Sequence, residues 1–255
     1  MNILLTNDDG WNSPLLPFTA DYLREMGDLT IALPQDEQSW TGKAMTRFGR
    51  LQVEERDLCG VTGYSINGRP ADCVNLALNH LCPKPPDLIV SGINMGSNLG
   101  VSFIVSSGTV GACLEANIAG VPGIALSQCL QPETYRQWAD EQHLPAATVD
   151  DLCRHQREFL DAALADLRAR DDAFSKPITW NVNMPHTPDD NWSVVHTNVG
   201  RTSYGSCFVR DEATGDYRHD LQKVDSDDDP TSDGVVSYFN GHVSISRIDI
   251  WQLGR

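Results

Sequence analysis

The sequence predicts an α/β fold built on a mainly parallel sheet, and three patterns in its 255 residues support this prediction. Short apolar runs at 3–5, 29–33 and 87–92 are typical of strands that are covered on both faces. A helical pattern separates the first two runs, and this βαβ order implies parallel strands joined by a right-handed crossover. Small or polar residues follow each run, as expected at the sheet edge where α/β proteins bind ligands.

The first strand, Ile3 to Leu5, ends in a Thr-Asn-Asp-Asp-Gly motif that contains Asp8 and Asp9. Adjacent carboxylates repel each other, and a divalent cation bound by hard oxygen ligands removes that repulsion. Asp and Asn also end strands as ordinary turn residues. The motif alone therefore leaves two interpretations open, a metal site or a turn.

A helix is expected next, with Ser13 as its N-cap, Pro14 in its first position and Gly27 just past its end. Such a helix returns the chain to the start of the second strand, which the parallel arrangement requires. Beyond that strand we predict short antiparallel strands within 51–66, with turns at Gly60 and Gly63, and then a helix that ends near His80.

The loop that follows the second strand, 34–43, is rich in hydroxyl groups and contains Ser39. The carboxyl ends of parallel strands lie at one edge of a sheet. We therefore expect Ser39 to lie at the same edge as Asp8 and Asp9.

Two segments of small residues follow the third strand. The first contains Asn94 and Asn98 among several glycines, which indicates a backbone that approaches a ligand closely. The second, Ser107, Gly108 and Thr109, opens a helix whose free amides and hydroxyls would form an anion site. An ordinary Ser/Thr helix cap is the simpler alternative for this segment.

The second half of the chain continues the α/β pattern and changes character at residue 187. In the polar segment 187–233, apolar residues occur in short alternating runs, which predict a β-hairpin. Because an isolated hairpin is marginally stable in water, we expect this segment to be an arm that docks on a second subunit, with its acidic end in solvent. The other elements predicted here are a strand at 123–127, two helices within 131–170 separated at Pro145, a strand at 178–183, a short helix capped by Ser232 or Asp233, and a final strand at 242–251.

The composition narrows the class of protein. A formal net charge of −16 argues against a partner that is a nucleic-acid polymer, and it means that an anionic substrate needs local positive charge. No apolar run approaches the ~20 residues of a membrane span, and the N-terminus lacks the pattern of a secretory signal. The seven cysteines are scattered without a CxxC pair, so free thiols in a cytoplasmic protein are expected.

The predicted sheet edge carries two carboxylates and several neutral oxygens, with no Cys or His among them. This donor set suits Mg²⁺ or Mn²⁺ better than zinc. A helix N-terminus beside such an ion would hold phosphate oxygens. A Ser-His-Asp triad is poorly supported, because His186 is the only histidine near a strand-end motif.

These motifs resemble those of the SurE family, the survival-protein nucleotidases. The resemblance is nearly continuous from residue 1 to about 127 and sparser beyond it. The shared pieces are Thr-Asn-Asp-Asp-Gly at 6–10, Ser39 with Thr41 and Gly42, Gly-Arg-Pro-Ala-Asp-Cys-Val at 68–74, Asp-Leu-Ile-Val-Ser-Gly-Ile-Asn at 87–94, Ser-Gly-Thr-Val at 107–110 and Asn-Val-Asn at 181–183.

The resemblance implies a Rossmann-like α/β core with helices on both faces. It also implies a metal-dependent phosphatase that acts on nucleoside monophosphates, with 3′-nucleotides and short polyphosphate as further substrates. Carried over residue by residue, it implies that Asp8, Asp9, Ser39 and Asn94 hold one divalent metal ion per subunit, Mg²⁺ or Mn²⁺.

A metal-activated water would then attack the phosphate, with Asp8, Asp9 and Asn94 as the catalytic residues. Either aspartate could accept a proton, and the sequence does not choose between them. The residues expected to bind and stabilise the phosphate are Asn98, Ser107, Gly108 and Thr109.

The sequence also predicts how the chain is divided. We expect a catalytic core at 1–186, the hairpin arm with its acidic loop at 187–233, and a helix and strand at 234–255 that return to the assembly. The resemblance implies that exchange of the arm between subunits builds a homodimer or homotetramer.

Two other functions remain to be weighed. A haloacid-dehalogenase-like phosphatase would use an Asp nucleophile, but that class has an Asp-x-Asp pattern after its first strand, whereas Asp8 and Asp9 are adjacent. A nucleotide-binding protein without catalysis would not need the complete ligand set. Trapping of a phosphoaspartate and release of phosphate separate these alternatives from the metal-dependent hydrolase.

Overall fold

The computed structural model describes residues 1–221 and 223–254. The strands are β1 Asn2–Thr6, β2 Asp28–Pro34, β3 Val53–Leu58, β4 Val61–Ile66, β5 Leu88–Met95, β6 Gly123–Gln128, β7 Thr179–Met184, β8 Val194–Thr197, β9 Thr202–Tyr204, β10 Phe208–Arg210, β11 Tyr217–His219, β12 Val224–Ser226 and β13 Val243–Ile248. The helices are α1 Leu16–Arg24, α2 Pro70–Leu76, α3 Val101–Ser106, α4 Gly108–Ile118, α5 Pro132–Glu141 and α6 Ala146–Arg168, with short π-helical turns at Ala77–Leu81 and Val235–Phe239 and a 3-10 turn at Ile250–Gln252.

The central sheet has nine strands in the order β3-β4-β2-β1-β5-β6-β7-β13-β8. The six strands from β4 to β7 in this order are parallel, with β1 hydrogen-bonded between β2 and β5. Strand β3 is antiparallel to β4, and β13 is antiparallel to β7, so the sheet is mixed at both ends. The prediction of an α/β fold with a mainly parallel sheet is confirmed.

Helices cover both faces of this sheet, as the continuous apolar runs of its strands require. On one face Leu5 belongs to a buried cluster with Leu23 of α1 and Phe159 of α6. On the other face Leu4 belongs to a second buried cluster, with Val74 of α2 and with residues of α4. Strand β1 is therefore enclosed on both sides and lies at the centre of the core.

Helix α1 begins later than the sequence predicts. Its first residue is Leu16 rather than Pro14, and Leu15 precedes it without a side-chain cap. Pro17, which lacks an N–H group, sits in the first turn, where that group has no helical partner. The carbonyl oxygen of Ser13 accepts a hydrogen bond from Leu16 N–H in the turn before the helix, so the prediction that Ser13 is the N-cap is wrong.

Two further boundaries differ from the prediction. The turn between β3 and β4 lies at Cys59 and Gly60, which have positive φ, whereas Gly63 lies inside β4. A Cβ at Gly63 would lie 2.8 Å from the Trp11 ring. This glycine therefore leaves space for the Trp11 side chain and does not form a turn. Strand β5 continues to Met95, so Asn94 lies in the strand and not in the loop after it.

The C-terminal part contains the predicted hairpin but also a strand of the central sheet. Strand β8 pairs in parallel with β13 and forms one edge of that sheet. Strands β9 and β12 pair in an antiparallel ladder, and β10 and β11 form a second antiparallel ladder within the same hairpin. The antiparallel hairpin thus begins after β8, and the division of the chain at 186 and 233 stays a prediction.

Among the described residues, no helix combines the length and the apolar character that crossing a lipid bilayer requires.

Candidate active site at the carboxyl edge of the sheet

The predicted site residues follow neighbouring strands. Asp8 and Asp9 follow β1 after one intervening residue, Ser39 lies in the loop after β2, and Asn94 is next to the last residue of β5. Because β1 is paired in parallel with both β2 and β5, all three strands end at the same edge of the sheet. The structure therefore brings the three segments together at the carboxyl ends of the strands, where ligands of open α/β sheets bind.

Asp8 is buried, with 3% of its surface exposed, and its carboxylate is fixed by Thr109 at the start of α4. The Thr109 N–H donates to Oδ2 at 3.0 Å, and the Thr109 hydroxyl donates to Oδ1 at 2.7 Å. A Cβ at Gly108 would lie 2.8 Å from the Cβ of Asp8, so glycine is needed for this close approach. The backbone oxygen of Asp8 accepts a hydrogen bond from Gln38 N–H at 2.7 Å, which places the neighbouring Ser39 at the site.

Asp9 is buried to a similar extent and is fixed by β5. Its Oδ2 accepts a hydrogen bond from Met95 N–H at 3.0 Å, which joins Asp9 to the residue that follows Asn94. Burial is the largest influence on Asp8 and raises its pKa, the Thr109 hydrogen bonds lower it, and the charge of Glu37 raises it, with a net pKa of about 6. Burial and the charge of Asp8 raise the pKa of Asp9 well above its ordinary value. The site thus holds two carboxylates whose ionised forms are disfavoured.

The donor set fits a hard divalent cation. Neither Oδ1 of Asp9 nor Oδ1 of Asn94 accepts a hydrogen bond from another described residue, and the exposed Ser39 hydroxyl makes none either. No group of three or more His, Cys, Asp or Glu side chains within 1–221 and 223–254 is placed to hold a metal. A metal here would therefore be held by the two carboxylates together with neutral oxygens, a pattern that Mg²⁺ and Mn²⁺ accept.

The residues predicted to bind phosphate are mostly hydrogen-bonded within the protein. The Ser107 hydroxyl accepts a hydrogen bond from Val110 N–H at 3.0 Å and caps α4. The Asn98 amide donates to the Ser127 hydroxyl at 2.8 Å and to the Thr109 hydroxyl at 3.4 Å. Asn98 therefore lies behind Thr109, and together with it forms the support of Asp8.

Two asparagines of β7, Asn181 and Asn183, complete this support, and their role is not predicted from the sequence. The Asn183 side chain accepts a hydrogen bond from Asn98 N–H at 2.8 Å, and the Asn181 side chain donates to the Asn98 carbonyl oxygen at 2.8 Å. Both are fully buried on one face of a strand. Their alternation in Asn-Val-Asn is a signal that could have placed them beside a polar site.

Glu37 and Tyr135 are also at the site, and no sequence motif points to either residue. Glu37 accepts a hydrogen bond from Ser39 N–H at 2.6 Å. Tyr135 lies in α5, and a Cβ at Gly96 would lie 3.4 Å from its ring, so Tyr135 stands over the turn that follows Asn94. Burial, Glu37 and Asp9, in that order, raise the pKa of Tyr135. A tyrosine on a polar helix carries no sequence pattern that identifies it as a site residue.

The loop that carries Ser39 is held on two sides. Lys43 forms an ion pair of 2.5 Å with the buried Glu115 of α4. Trp40, which has a positive φ of 63°, contacts the arm, with its ring centroid 4.9 Å from that of His219 and 5.5 Å from that of Tyr204. The helix that supports Asp8 and the hairpin arm thus both position the loop after β2.

The fold and the site together define an α/β protein of the doubly wound type with an acidic, oxygen-rich site at the carboxyl edge of its sheet. Comparison with known proteins is more specific. A family model described as "Survival protein SurE" matches residues 3–206, and the chain belongs to this SurE family.

Relatives of similar length support this assignment. A protein of Desulfitobacterium hafniense named "5'-nucleotidase SurE" is 34% identical over 250 residues, covering 96% of this chain and 90% of the relative. A protein of the same name from Halobacterium salinarum is 36% identical over 255 residues with the same coverage. The crystal structure of the SurE protein from Aquifex aeolicus superposes with a TM-score of 0.67 at 24% identity, covering 98% of this chain and 94% of that one, which supports the fold.

Proposed function

We propose that this protein is a metal-dependent phosphomonoesterase that hydrolyses nucleoside monophosphates. The observation that carries the proposal is the buried pair of adjacent carboxylates, Asp8 and Asp9, at the carboxyl edge of the sheet beside the N-terminus of α4. The substrate class follows from the family, because the relatives described above are named 5'-nucleotidases.

Asp8, Asp9, Ser39 and Asn94 would hold the metal ion, one Mg²⁺ or Mn²⁺ per subunit. Bound there, the ion would supply positive charge for the phosphate and lower the pKa of a water molecule for attack. Because the protein has a net charge of −16, it repels an anionic substrate, and the positive charge of the ion would offset this repulsion.

The protein's own residues would orient the reacting groups. Thr109 fixes both oxygens of Asp8, and the Met95 N–H fixes one oxygen of Asp9, so neither carboxylate can rotate freely. A group held in this way loses less entropy when the substrate binds. Asp8 or Asp9 would accept the proton from the attacking water, since both have raised pKa values and lie at the site.

The haloacid-dehalogenase-like alternative needs one aspartate to attack phosphorus. Both oxygens of Asp8 already accept hydrogen bonds from Thr109, which lowers their nucleophilicity and argues against Asp8 in that role. Denaturing mass spectrometry of the protein quenched during turnover tests this point, because a phosphoaspartate would add the mass of a phosphoryl group.

The test of the proposed function is release of inorganic phosphate from purified protein. We expect hydrolysis of nucleoside 5′-monophosphates with Mg²⁺ or Mn²⁺ and complete loss in chelator, with activity restored by adding metal back. Nucleoside 3′-monophosphates and short polyphosphate in the same screen test the broader substrate range that the family resemblance implies. Full activity in chelator, or in Asp9→Ala, would overturn the metal-dependent mechanism.

We also propose that the arm, β9 to β12, docks on a second copy of this chain to form a homodimer or homotetramer in the cytoplasm. Large apolar side chains are exposed on it, including Phe208 at 58%, Tyr217 at 68% and Val224 at 41%. A two-stranded hairpin with such exposed side chains lacks a covered face, and a second subunit would provide one.

A further inference from the structure

The hydrogen-bond donors around the carboxylate pair are largely used by the protein itself. Both donors of Thr109 go to Asp8, and Met95 N–H goes to Asp9. The Asn94 amide group donates to the Gly96 carbonyl oxygen at 3.0 Å. A phosphate group that enters this site therefore meets few free donors among the residues that the sequence singled out.

Tyr135 supplies a free donor at the same place. Its ring borders Gly96, since a Cβ at that glycine would lie 3.4 Å from Cε2 of Tyr135 and 3.7 Å from the Asn94 amide nitrogen. The Tyr135 side chain is 47% exposed, and its hydroxyl makes no hydrogen bond to any other residue that the structure describes. The phenol ring thus borders the site, and its hydroxyl donor is unused by the described residues.

The charges around Tyr135 suit this role. Asp9 and Glu37 act on the phenol, and both disfavour a negative charge on it. The hydroxyl group therefore keeps its proton and remains a donor. A hydrogen bond from a neutral hydroxyl to an anionic oxygen is short and strong, and it adds no charge to the site.

We propose that the Tyr135 hydroxyl binds the substrate by donating a hydrogen bond to an oxygen of its phosphate group. The inference rests on the proposed phosphomonoesterase function and adds a substrate-binding residue to it. Because the contact is with phosphate and not with the nucleoside, it applies equally to every phosphate monoester that the enzyme accepts.

The test compares the wild-type protein with Tyr135→Phe, which removes only the hydroxyl. We expect kcat/KM to fall about tenfold to a hundredfold, by the same factor for adenosine 5′-monophosphate and for p-nitrophenyl phosphate. The inhibition constant of inorganic phosphate should rise by a similar factor. The midpoint of thermal unfolding and the Mn²⁺ concentration for half activation should not change.

The matched control is Tyr64→Phe. Tyr64 lies on β4 and lines a cavity with Gly27 and Leu29, which are at the amino end of β2 and not at the edge where the site lies. This variant loses the same hydroxyl group, and we expect wild-type kinetics and phosphate inhibition from it.

Unchanged kcat/KM and unchanged phosphate inhibition in Tyr135→Phe would overturn the inference and leave the proposed function intact. A fall in kcat/KM for adenosine 5′-monophosphate without a fall for p-nitrophenyl phosphate would also overturn the inference, because the contact would then be with the nucleoside. A wild-type protein without hydrolysis would instead refute the proposed function. Calorimetric titration of inorganic phosphate into wild type and Tyr135→Phe would then decide the inference by itself, with weaker binding to the variant as the supporting result.

Discussion

At the scale of single residues, the carboxylate of Asp8 is held by two neutral donors, and no Lys or Arg of the described chain forms an ion pair with Asp8 or Asp9. The adjacent Asp9 has only a backbone N–H as its partner. Without metal, the protein therefore holds two buried carboxyl groups whose ionisation only hydrogen bonds compensate. This arrangement makes the stability of the metal-free protein depend on pH.

The first prediction concerns Asp8→Asn in chelator. Burial raises the pKa of Asp8 from 3.8 to about 6, so wild-type protein gains stability from this group below pH 4 and loses it as pH rises through 6. The amide carries no charge, and we expect the variant to unfold with a free energy about 2–3 kcal/mol higher than wild type at pH 7. The difference should vanish near pH 4. Urea unfolding at the two pH values measures it.

The control for this change is Asp140→Asn, which removes an exposed carboxyl group from α5. Its stability should differ from that of wild type by less than about 0.5 kcal/mol at both pH values. If Asp8→Asn is no more stable than wild type at pH 7, burial of the ionised carboxylate does not destabilise the protein and the prediction is wrong.

The second prediction concerns Gly108→Ala. The new Cβ would lie 2.8 Å from the Cβ of Asp8 and 3.1 Å from the Gln38 carbonyl oxygen, so Asp8 or the Ser39 loop must move. Under the proposed mechanism, a displacement of this size at Asp8 lowers turnover by about a hundredfold. We expect kcat to fall by that order while the midpoint of thermal unfolding changes little. Gly234→Ala is the control, because nothing lies within 4 Å of the position of its Cβ; equal kcat in the two variants would contradict the argument.

The sequence identified the carboxylate pair because its members are adjacent and end a strand. It could not identify the partner of Asp8, since Thr109 is 101 residues away along the chain and only the sheet topology joins the two. The same limit applies to Tyr135, which reaches the site from a helix with no strand-end motif. Local patterns therefore indicate candidate site residues, while the contacts that hold these residues in place depend on tertiary structure.

At the scale of elements, the strands of the sheet centre were predicted well because burial on both faces leaves an uninterrupted apolar run. Helix α3 was missed, since six residues between Gly100 and Ser107 are too few for a periodic pattern. The place of β13 inside the sheet was missed as well, because strand order is not encoded locally. Helix α4 has two roles: its N-terminus fixes Asp8, and Glu115 further along it pairs with Lys43.

The third prediction concerns that ion pair. Lys43→Met would leave the Glu115 carboxylate, 7% exposed, without its cation, and we expect the free energy of unfolding to fall by about 3 kcal/mol. Adding Glu115→Gln should restore most of the loss, because the amide carries no charge to compensate. Urea unfolding of Lys43→Met, of Glu115→Gln and of the double variant measures these changes in the free energy of unfolding.

Lys84→Met is the control, because Lys84 pairs with Asp28 on the surface, where the two side chains are 66% and 77% exposed. That change should alter stability by less than about 1 kcal/mol. Equal losses in the two lysine variants would show that the ion pair with Glu115 is no more important than a surface pair.

At the scale of the whole molecule, the arm is the part of the chain whose apolar side chains the core does not fully cover. Its inner ladder, β9 with β12, lies next to the core through Thr202, whose hydroxyl accepts a hydrogen bond from Ser102 N–H at 3.0 Å. Its outer ladder, β10 with β11, exposes Phe208 and Tyr217. The outer ladder is therefore the part whose removal should affect assembly and not the core fold.

The fourth prediction replaces residues 207–220 with a short Gly-Ser linker, which keeps β9 and β12. We expect a smaller assembly in sedimentation velocity and a far-ultraviolet circular dichroism spectrum that still has the α/β shape, because the central sheet is untouched. An unchanged mass, or an intact chain that sediments as a monomer at micromolar concentration, would contradict the proposed docking of the arm.

The contact between Trp40 and His219 has a consequence for the evolution and engineering of this chain. Trp40 is next to Ser39, and His219 lies on the outer ladder of the arm, so one aromatic contact spans the two. An arm transplanted from a relative without an aromatic ring at position 219 would remove this contact from Trp40, and a transplanted Ser39 loop without an aromatic ring at position 40 would remove it from His219. Chimeras that keep this contact between the loop and the arm should therefore exchange the two segments together.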